Sequence, residues 1–206
     1  MRRRAFLASA LTAGTSITAG CGFIESRTEH TDPTVELDDN PQNNTKYLVF
    51  RKDGADLATV GVSPPGSSEP SEFGASVSHG VDTELQSLTQ RFSTPDSDET
   101  PPKIALQGPF MDDYGPPPSV SVFRDNTAAV VKVHRFGGLA DETVYINLLV
   151  TRWPASAHRL VVESSVELVE PGLTDQTHVL DGQLEFKVTT ETEADEPTDD
   201  TPNSSE

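Results

Sequence analysis

Apolar and polar side chains alternate with a period of two along much of the chain from residue 46 to residue 189. The two clearest runs cover residues 144–151 and 159–168, where every second side chain is apolar except for Ser164. Alternation of this kind is typical of a β-strand with one buried and one exposed face. Similar but shorter patterns predict six more strands, which cover residues 47–51, 57–62, 103–106, 120–123, 128–134 and 184–188.

Turn chemistry between these runs favours antiparallel hairpins. Asp125-Asn126 lies between two predicted strands, and Asp181-Gly182 precedes the last one. Asn, Asp and Gly tolerate the positive φ angles that tight hairpin turns require. Both dipeptides are therefore predicted to be hairpin turns.

One segment has a helical period instead. Val81, Leu85, Leu88 and Phe92 recur at spacings of four, three and four residues, which places them on one face of a helix. We predict a short helix here, lying over one edge of the strands. The Gly-flanked stretch at residues 74–80 is then predicted to be a loop that enters this helix.

About eight short strands separated by turn signals indicate the fold class. We predict a mainly β protein: a single antiparallel β-sandwich, immunoglobulin-like or similar, with one short helix, over residues 46–189. The flanking segments are polar and carry few large apolar side chains to bury. Residues 21–45 are predicted to be a disordered acidic tether, and residues 190–206, with seven acidic side chains, a disordered acidic tail.

The chain opens with the layout of an export signal. Three arginines precede a mildly apolar run at residues 5–19, which is too short and too polar to span a bilayer. The stretch Arg3-Arg4-Ala5-Phe6-Leu7 resembles the RR-x-F-L core of twin-arginine signals, which export proteins already folded. Residues 1–20 are accordingly predicted to be a signal peptide.

The only cysteine stands directly after this signal. Thr18-Ala19-Gly20-Cys21 resembles a lipobox, in which the peptidase cuts before the cysteine and the thiol carries a lipid. The absence of a second cysteine to pair with it agrees with lipidation. Cys21 is therefore the predicted lipid attachment site.

The charge of the chain is strongly acidic. It carries 33 acidic and 15 basic residues, a formal net charge of −18, and because three basic residues precede Cys21 the chain from Cys21 onward has a net charge of −21. Dense carboxylates keep a surface hydrated and self-repelling in concentrated salt. Together with the twin-arginine signal and the lipobox, this composition resembles that of haloarchaeal surface lipoproteins. The resemblance implies a halophilic protein anchored by lipid at the outer face of the cell membrane.

The same charge excludes one class of partner. Binding to nucleic acid needs clustered Lys and Arg, and the 12 basic residues after Cys21 face 33 acidic ones. No nucleic-acid partner is expected.

No catalytic, metal or cofactor site is predicted from the motifs. No two of the five histidines have the i, i+4 or H-x-H spacing that places two ligands on one face. His134, His158 and His178 all lie near predicted strand ends, so a sandwich could gather them at one end. Scattered histidines are the simpler interpretation.

Two serines beside a histidine raise a rival interpretation. Ser76 and Ser78 lie next to His79, but a catalytic triad is assembled in space rather than in sequence. The rival function is an exported hydrolase or metal-assisted enzyme whose residues converge from distant strands. A concave pocket holding two histidines with one of these serines or a carboxylate would favour it.

Two loops are candidates for binding. Phe110, Met111 and Tyr114 interrupt a turn-rich run, and Trp153, the only tryptophan, lies between two strong strand patterns. Each set fits two interpretations: a ligand-binding loop on a rigid scaffold, or side chains that pack onto the core.

Two N-x-S/T sequons begin at Asn43 and Asn203 and are candidate glycosylation sites in an exported protein. With no catalytic spacing present, the predicted function is that of a lipid-anchored, extracytoplasmic, non-catalytic binding module. Its expected partners are the membrane, through the anchor, and a surface protein, a glycan or a solute.

Overall fold

The computed structural model describes residues 26–39, 44–66, 70–80, 82–97, 100–107, 119–134, 136 and 143–188. These residues form twelve strands and no helix, so none contributes a helix long and apolar enough to cross a membrane. The strands are β1 (Ser26–His30), β2 (Thr34–Leu37), β3 (Lys46–Lys52), β4 (Ala55–Val62), β5 (Ser71–His79), β6 (Glu84–Ser93), β7 (Lys103–Leu106), β8 (Ser119–Arg124), β9 (Ala128–His134), β10 (Thr143–Arg152), β11 (Arg159–Glu170) and β12 (Gln176–Lys187).

The strands form two six-stranded sheets. Sheet A has the order β1-β12-β11-β6-β9-β8, and sheet B has the order β2-β3-β4-β5-β10-β7. Every neighbouring pair is antiparallel except β1 and β12, which run parallel. The prediction of a mainly β sandwich is confirmed.

The two sheets pack through the apolar positions of the alternating patterns. Phe73 of sheet B meets Phe92 of sheet A edge to face, with 5.3 Å between ring centroids. Leu48, Ile146 and Leu160 are at most 1% exposed. Burial of such side chains stabilises each by about 1.5–3 kcal/mol relative to exposure, so the alternation in the sequence records the inner faces of the sandwich.

The predicted short helix is wrong, because residues 84–93 are strand β6. In the pairing with β11, Glu167 opposes Ser87 and Leu168 opposes Leu85, which leaves Gln86 as an extra residue. Because of the extra residue in this β-bulge, the positions that face inward change from odd-numbered to even-numbered residues. Leu85 and Leu88 are therefore both buried although they are three residues apart. Beyond it the alternation continues to Phe92. The bulge produced a spacing that resembles a helical period.

The loop predicted at residues 74–80 is also wrong, because most of it belongs to strand β5. Buried and half-buried residues alternate over residues 73–79, but the outward positions there hold only Gly and Ser. A strand with so few bulky or β-branched side chains on one face has weak β-propensity. Tertiary pairing with β4 and β10 fixes it instead.

The segment predicted to be a tether contains two strands. β1 pairs with β12, and β2 pairs with β3. Their side chains are mostly exposed, so the two strands are held in place by backbone hydrogen bonds to their neighbours. Backbone hydrogen bonds do not depend on apolar side chains, so the hydrophobic pattern of the sequence does not reveal these strands. The ordered domain therefore begins before residue 46.

The two predicted turns have different outcomes. Asp125-Asn126 is confirmed as the β8–β9 turn, where the backbone N–H groups of Thr127 and Ala128 donate to Asp125 Oδ1 at 2.9 and 2.8 Å. Asp181 and Gly182 lie in the middle of β12, so the second turn prediction is wrong. A Cβ on Gly182 would lie 2.9 Å from both Leu48 Cδ1 and Pro33 Cγ, and this close packing is the reason for glycine there.

The sandwich has two distinguishable ends. Because β1 and β12 are parallel, both strands begin at the same end, which we call the N-terminal end. The β11–β12 turn at residues 171–175 lies there, beside Ser26, which pairs with Gln176. At the opposite, C-terminal end, β12 finishes, and residues 94–97, 100–102 and 153–158 of the connecting segments lie there.

Candidate functional site

The serines and the histidine of β5 point to opposite faces of sheet B. His79 is 7% exposed and faces inward, whereas Ser76 and Ser78 occupy the outward positions. The His79 ring approaches Thr83, with 3.0 Å between Nδ1 and Oγ1. Strand geometry thus separates the residue types that would have to cooperate in nucleophilic catalysis.

The structure does not gather His134, His158 and His178. His134 and His178 lie near the N-terminal end, whereas His158 precedes β11 at the C-terminal end and donates its backbone N–H to Asp96 Oδ2 at 2.9 Å. Within the described ranges, no group of three or more His, Cys, Asp or Glu residues is arranged to hold a metal ion.

His178 instead meets His30, from the segment predicted to be a tether. His30 Nε2 lies 3.2 Å from His178 Nδ1, and His178 Nε2 lies 3.2 Å from Glu170 Oε2. Lys52 Nζ donates to the same carboxylate oxygen at 2.7 Å. We call these four residues the histidine chain. It joins β1, β12, β11 and β3, so it ties the edge of sheet A to sheet B.

The electrostatics of the histidine chain favour neutral imidazole on the edge strand. Burial lowers the pKa of His30, and the neighbouring His178 and Lys52 lower it further. The hydrogen bond from Lys52 lowers the pKa of the Glu170 carboxyl, followed by that from His178. Both ring nitrogens of His178, whose side chain is fully buried, are engaged within the chain.

An open cleft of about 570 Å³ lies against sheet A beside the histidine chain. The segment that follows His30 forms its wall, with Thr31, Pro33 and Val35. Side chains of β6, β11 and β12 complete it, among them Thr89, Arg91, Glu163, Ser165, Asp181 and Gln183.

Sheet register builds this cleft from two adjacent rows of polar residues. Ser165 pairs with Thr89 and Asp181, and Glu163 pairs with Arg91. Ser164, between the rows, is 3% exposed and points inward. Residues directly opposite on neighbouring strands share a face, so both rows lie on the outer face of sheet A. The sequence predicted the alternation of β11 but not which strands lie beside it.

The cation of the cleft is already neutralised. Arg91 Nε lies 3.2 Å from Glu163 Oε2, and its Nη1 pairs with Asp125 Oδ2. The pKa of Asp125 is lowered, first by the backbone N–H of Thr127 and also by Arg91. Hydroxyl, amide and carboxylate groups remain to hydrogen-bond a ligand, so the cleft suits a small polar solute rather than an anion.

None of the residues predicted to form binding loops is among the described residues that line the cleft. Trp153 is 5% exposed and belongs to the core, so of its two interpretations the structure supports packing. Phe110, Met111 and Tyr114 lie outside the described residues, as do Cys21, the residues of the export signal and the sequon positions Asn43 and Asn203.

Sequence reasoning missed His30 and the cleft wall. The alternation of Thr34-Val35-Glu36-Leu37 was the available local signal, but four residues are too few to distinguish a strand from a polar linker. The contact between His30 and His178 joins residues 148 positions apart, and no sequence pattern carries it.

Two packed sheets with polar outer faces define the chain as a β-sandwich domain. It belongs to the family described as a domain of unknown function, DUF8121, whose model matches residues 27–190. No curated relative matches the chain.

Three solved structures are similar to the chain at low identity. A cohesin module from a Clostridium perfringens family 33 glycoside hydrolase is 17% identical, with a TM-score of 0.36 over 65% of this chain and 95% of that one. The human F-spondin reeler domain is 11% identical, with a TM-score of 0.35 over 81% and 94%. A non-cellulosomal cohesin from Archaeoglobus fulgidus is 12% identical, with a TM-score of 0.34 over 67% and 95%.

Proposed function

We propose that the protein is a non-catalytic binding module, held at the outer face of the cell membrane by a lipid on Cys21, whose cleft receives a small polar solute. The observation that carries the proposal is the cleft. Its volume of about 570 Å³ lies within the range of about 300–1,000 Å³ usual for small-molecule sites, and its lining is rich in hydrogen-bonding groups.

The absence of a catalytic role rests on geometry. Ser76 and Ser78 face away from His79, and both ring nitrogens of His178 are engaged by His30 and Glu170. The enzyme alternative would be favoured by a concave pocket that holds two histidines with a serine or a carboxylate. His30, His178 and Glu170 are two histidines and a carboxylate, but none of them lines the cleft, and they connect β1 to β12 and β11.

The anchor rests on the sequence. Arg3, Arg4, Phe6 and Leu7 match the twin-arginine pattern, and Cys21 follows small residues. Ser26, the first residue of β1, lies five positions after Cys21, so the connecting chain reaches at most about 17 Å at about 3.5 Å per residue. The anchor would hold the N-terminal end of the sandwich close to the membrane.

The binding function is tested by thermal unfolding of the full chain against a panel of neutral and zwitterionic solutes, with Ser165→Trp to fill the cleft. A solute at about 100 times its Kd stabilises the folded state by about 2.7 kcal/mol, which raises the melting temperature by several degrees. The shift should vanish in Ser165→Trp and persist in Ser121→Trp, an exposed site on β8 of the same sheet.

The bound solute should be recovered chemically unchanged, as mass spectrometry of the released ligand would show. The absence of any stabilising solute, an equal shift in Ser165→Trp, or conversion of the solute to a product would each contradict the proposal.

A further inference from the structure

A second, smaller cavity of about 200 Å³ lies at the C-terminal end. Lys103 of β7, Arg124 of β8 and Arg152 of β10 line it together with Trp153, Thr100 and Pro101. β7 is the last strand of sheet B and β8 the last strand of sheet A, so the cavity lies where these two edges meet. We call it the basic pocket.

Three cations in one pocket are unexpected in this chain. It has 15 basic residues against 33 acidic ones, and Arg51, Lys52, Arg91 and Arg159 each pair with a carboxylate. In the described part of the chain, no ion pair joins any of the three pocket cations to a carboxylate. Positive charge is therefore concentrated at this position.

The sheet register increases the repulsion. Lys103 directly opposes Arg152 across β7 and β10, after a register shift between Val150 and Arg152. Like charges directly opposite on neighbouring strands are destabilising, and Arg124 reaches the same cavity from the other sheet. In a protein with so many carboxylates, this arrangement costs stability that an anion in the pocket would restore.

The size and chemistry of the pocket restrict the ligand. Its volume is smaller than about 300 Å³, which is the lower limit of the pockets that hold drug-sized ligands. Guanidinium forks match the geometry of phosphate-like and carboxylate anions, and Lys supplies a point charge. The indole of Trp153, which is 5% exposed, forms part of the pocket wall and is held in place by the core. The cleft on sheet A lacks these properties because its arginine is already paired.

We propose that the basic pocket binds a small free oxyanion of the phosphate or sulfate type. The proposal is independent of the solute site in the cleft, because the two sites have no lining residue in common. Failure of one therefore leaves the other intact.

The test is calorimetric titration of the full chain with inorganic phosphate and with sulfate, in a potassium chloride background of constant ionic strength. Saturable binding is expected. A charge-assisted hydrogen bond contributes about 1.5–3 kcal/mol, so Arg152→Gln or Lys103→Gln should weaken binding by about 10- to 100-fold. Lys132→Gln is the matched control, because it removes an equal charge from the exposed face of β9 and should leave the affinity unchanged.

A second readout distinguishes a binding role from a structural one. Without oxyanion, Arg152→Gln should melt at a higher temperature than the original chain, because the repulsion from Lys103 is relieved. With phosphate, this order should reverse. No saturable binding, equal weakening by Lys132→Gln, or a lower melting temperature of Arg152→Gln without oxyanion would overturn the proposal.

The acidic tail is another source of anions, because it follows β12 in sequence and β12 finishes at the C-terminal end. A chain in which the seven acids after residue 190 are changed to amides separates the two sources. Equal phosphate affinity in both chains supports the free oxyanion. Binding that appears only when the tail is neutralised would overturn it and assign the pocket to the tail.

Discussion

Glycine at position 182 is required by packing rather than by a turn. A Cβ there would meet Leu48 Cδ1 and Pro33 Cγ, each at 2.9 Å. We expect Gly182→Ala to destabilise the domain by about 1–3 kcal/mol, the usual cost of overpacking, and to loosen the cleft wall that Pro33 supports. Denaturant unfolding measures the change. In Gly74→Ala, where the nearest atom is Ser63 Oγ at 3.9 Å, stability should be unchanged or slightly higher.

Because side chains alternate between the two faces of a strand, neighbouring residues on β10 differ strongly in their exposure to solvent. Ile146 is 1% exposed and Tyr145 is 63% exposed. Ile146→Asp places an unpaired charge in the core, which should cost several kcal/mol, about the stability of an ordinary domain. Tyr145→Asp should fold normally. Circular dichroism of the two variants shows which of them retains its β-structure. A folded Ile146→Asp variant would contradict the assignment of Ile146 to the inner face.

Besides its backbone pairing with β12, strand β1 is held by the contact between His30 and His178, and the imidazole of His30 titrates. The pKa of His30 is lowered from its ordinary value of 6.5, so as the pH falls the unfolded chain takes up a proton before the folded chain does. Stability should therefore decrease as the pH falls below about 6.5. Below the ordinary pKa of Glu170, 4.5, the lowered pKa of that carboxyl adds a second decrease.

Urea unfolding between about pH 7.5 and pH 5.5, where histidine titrates, isolates the first effect. His30→Gln should lose less stability over this range than the original chain does. His158→Gln, at an exposed histidine of the other end, should behave like the original chain. Equal pH dependence in all three would show that the histidine chain does not control this loss.

Strand β6 is an element whose sequence pattern predicts the wrong type of secondary structure. Its bulge at Gln86 brings Leu85 and Leu88 to the same face, and their spacing then fits a helix. Only the pairing with β11 reveals the extra residue. Strand β9 shows the opposite case, because its predicted residues 128–134 coincide with the observed strand, Ala128–His134.

The net charge of the whole domain predicts a response to salt. Residues 26–188 hold 25 acidic and 12 basic side chains, a net charge of −13, which is larger than that of residues 46–189 because β1 and β2 belong to the fold. Screening lengths shrink from about 10 Å at 0.1 M salt to about 3 Å at 1 M. The melting temperature should rise between about 0.05 M and 2 M KCl. A flat or falling curve would contradict the halophilic interpretation.

The proposed membrane location of the whole molecule depends on one thiol, that of Cys21. Cys21→Ser should release the protein to the medium or leave an uncleaved precursor, because no lipid can then be attached. Cell fractionation followed by immunoblotting distinguishes these outcomes from processed protein that stays with the membrane, which would refute lipidation. Replacement of Arg3 and Arg4 by Lys is the companion variant and should block export.

The sequence by itself determined the class of the fold and the positions of its strongest strands, because burial of one sheet face leaves an alternation that can be read locally. Residues 103–106 and 128–134 were predicted with the bounds that the structure has. Tertiary structure decided the rest. Edge strands β1 and β2 are held by backbone pairing, the bulge in β6 depends on its partner, and Asp181-Gly182 became a strand because Leu48 and Pro33 pack against it. The cleft, the histidine chain and the basic pocket combine residues far apart in sequence, and strand order, which places them together, is not encoded in any local pattern.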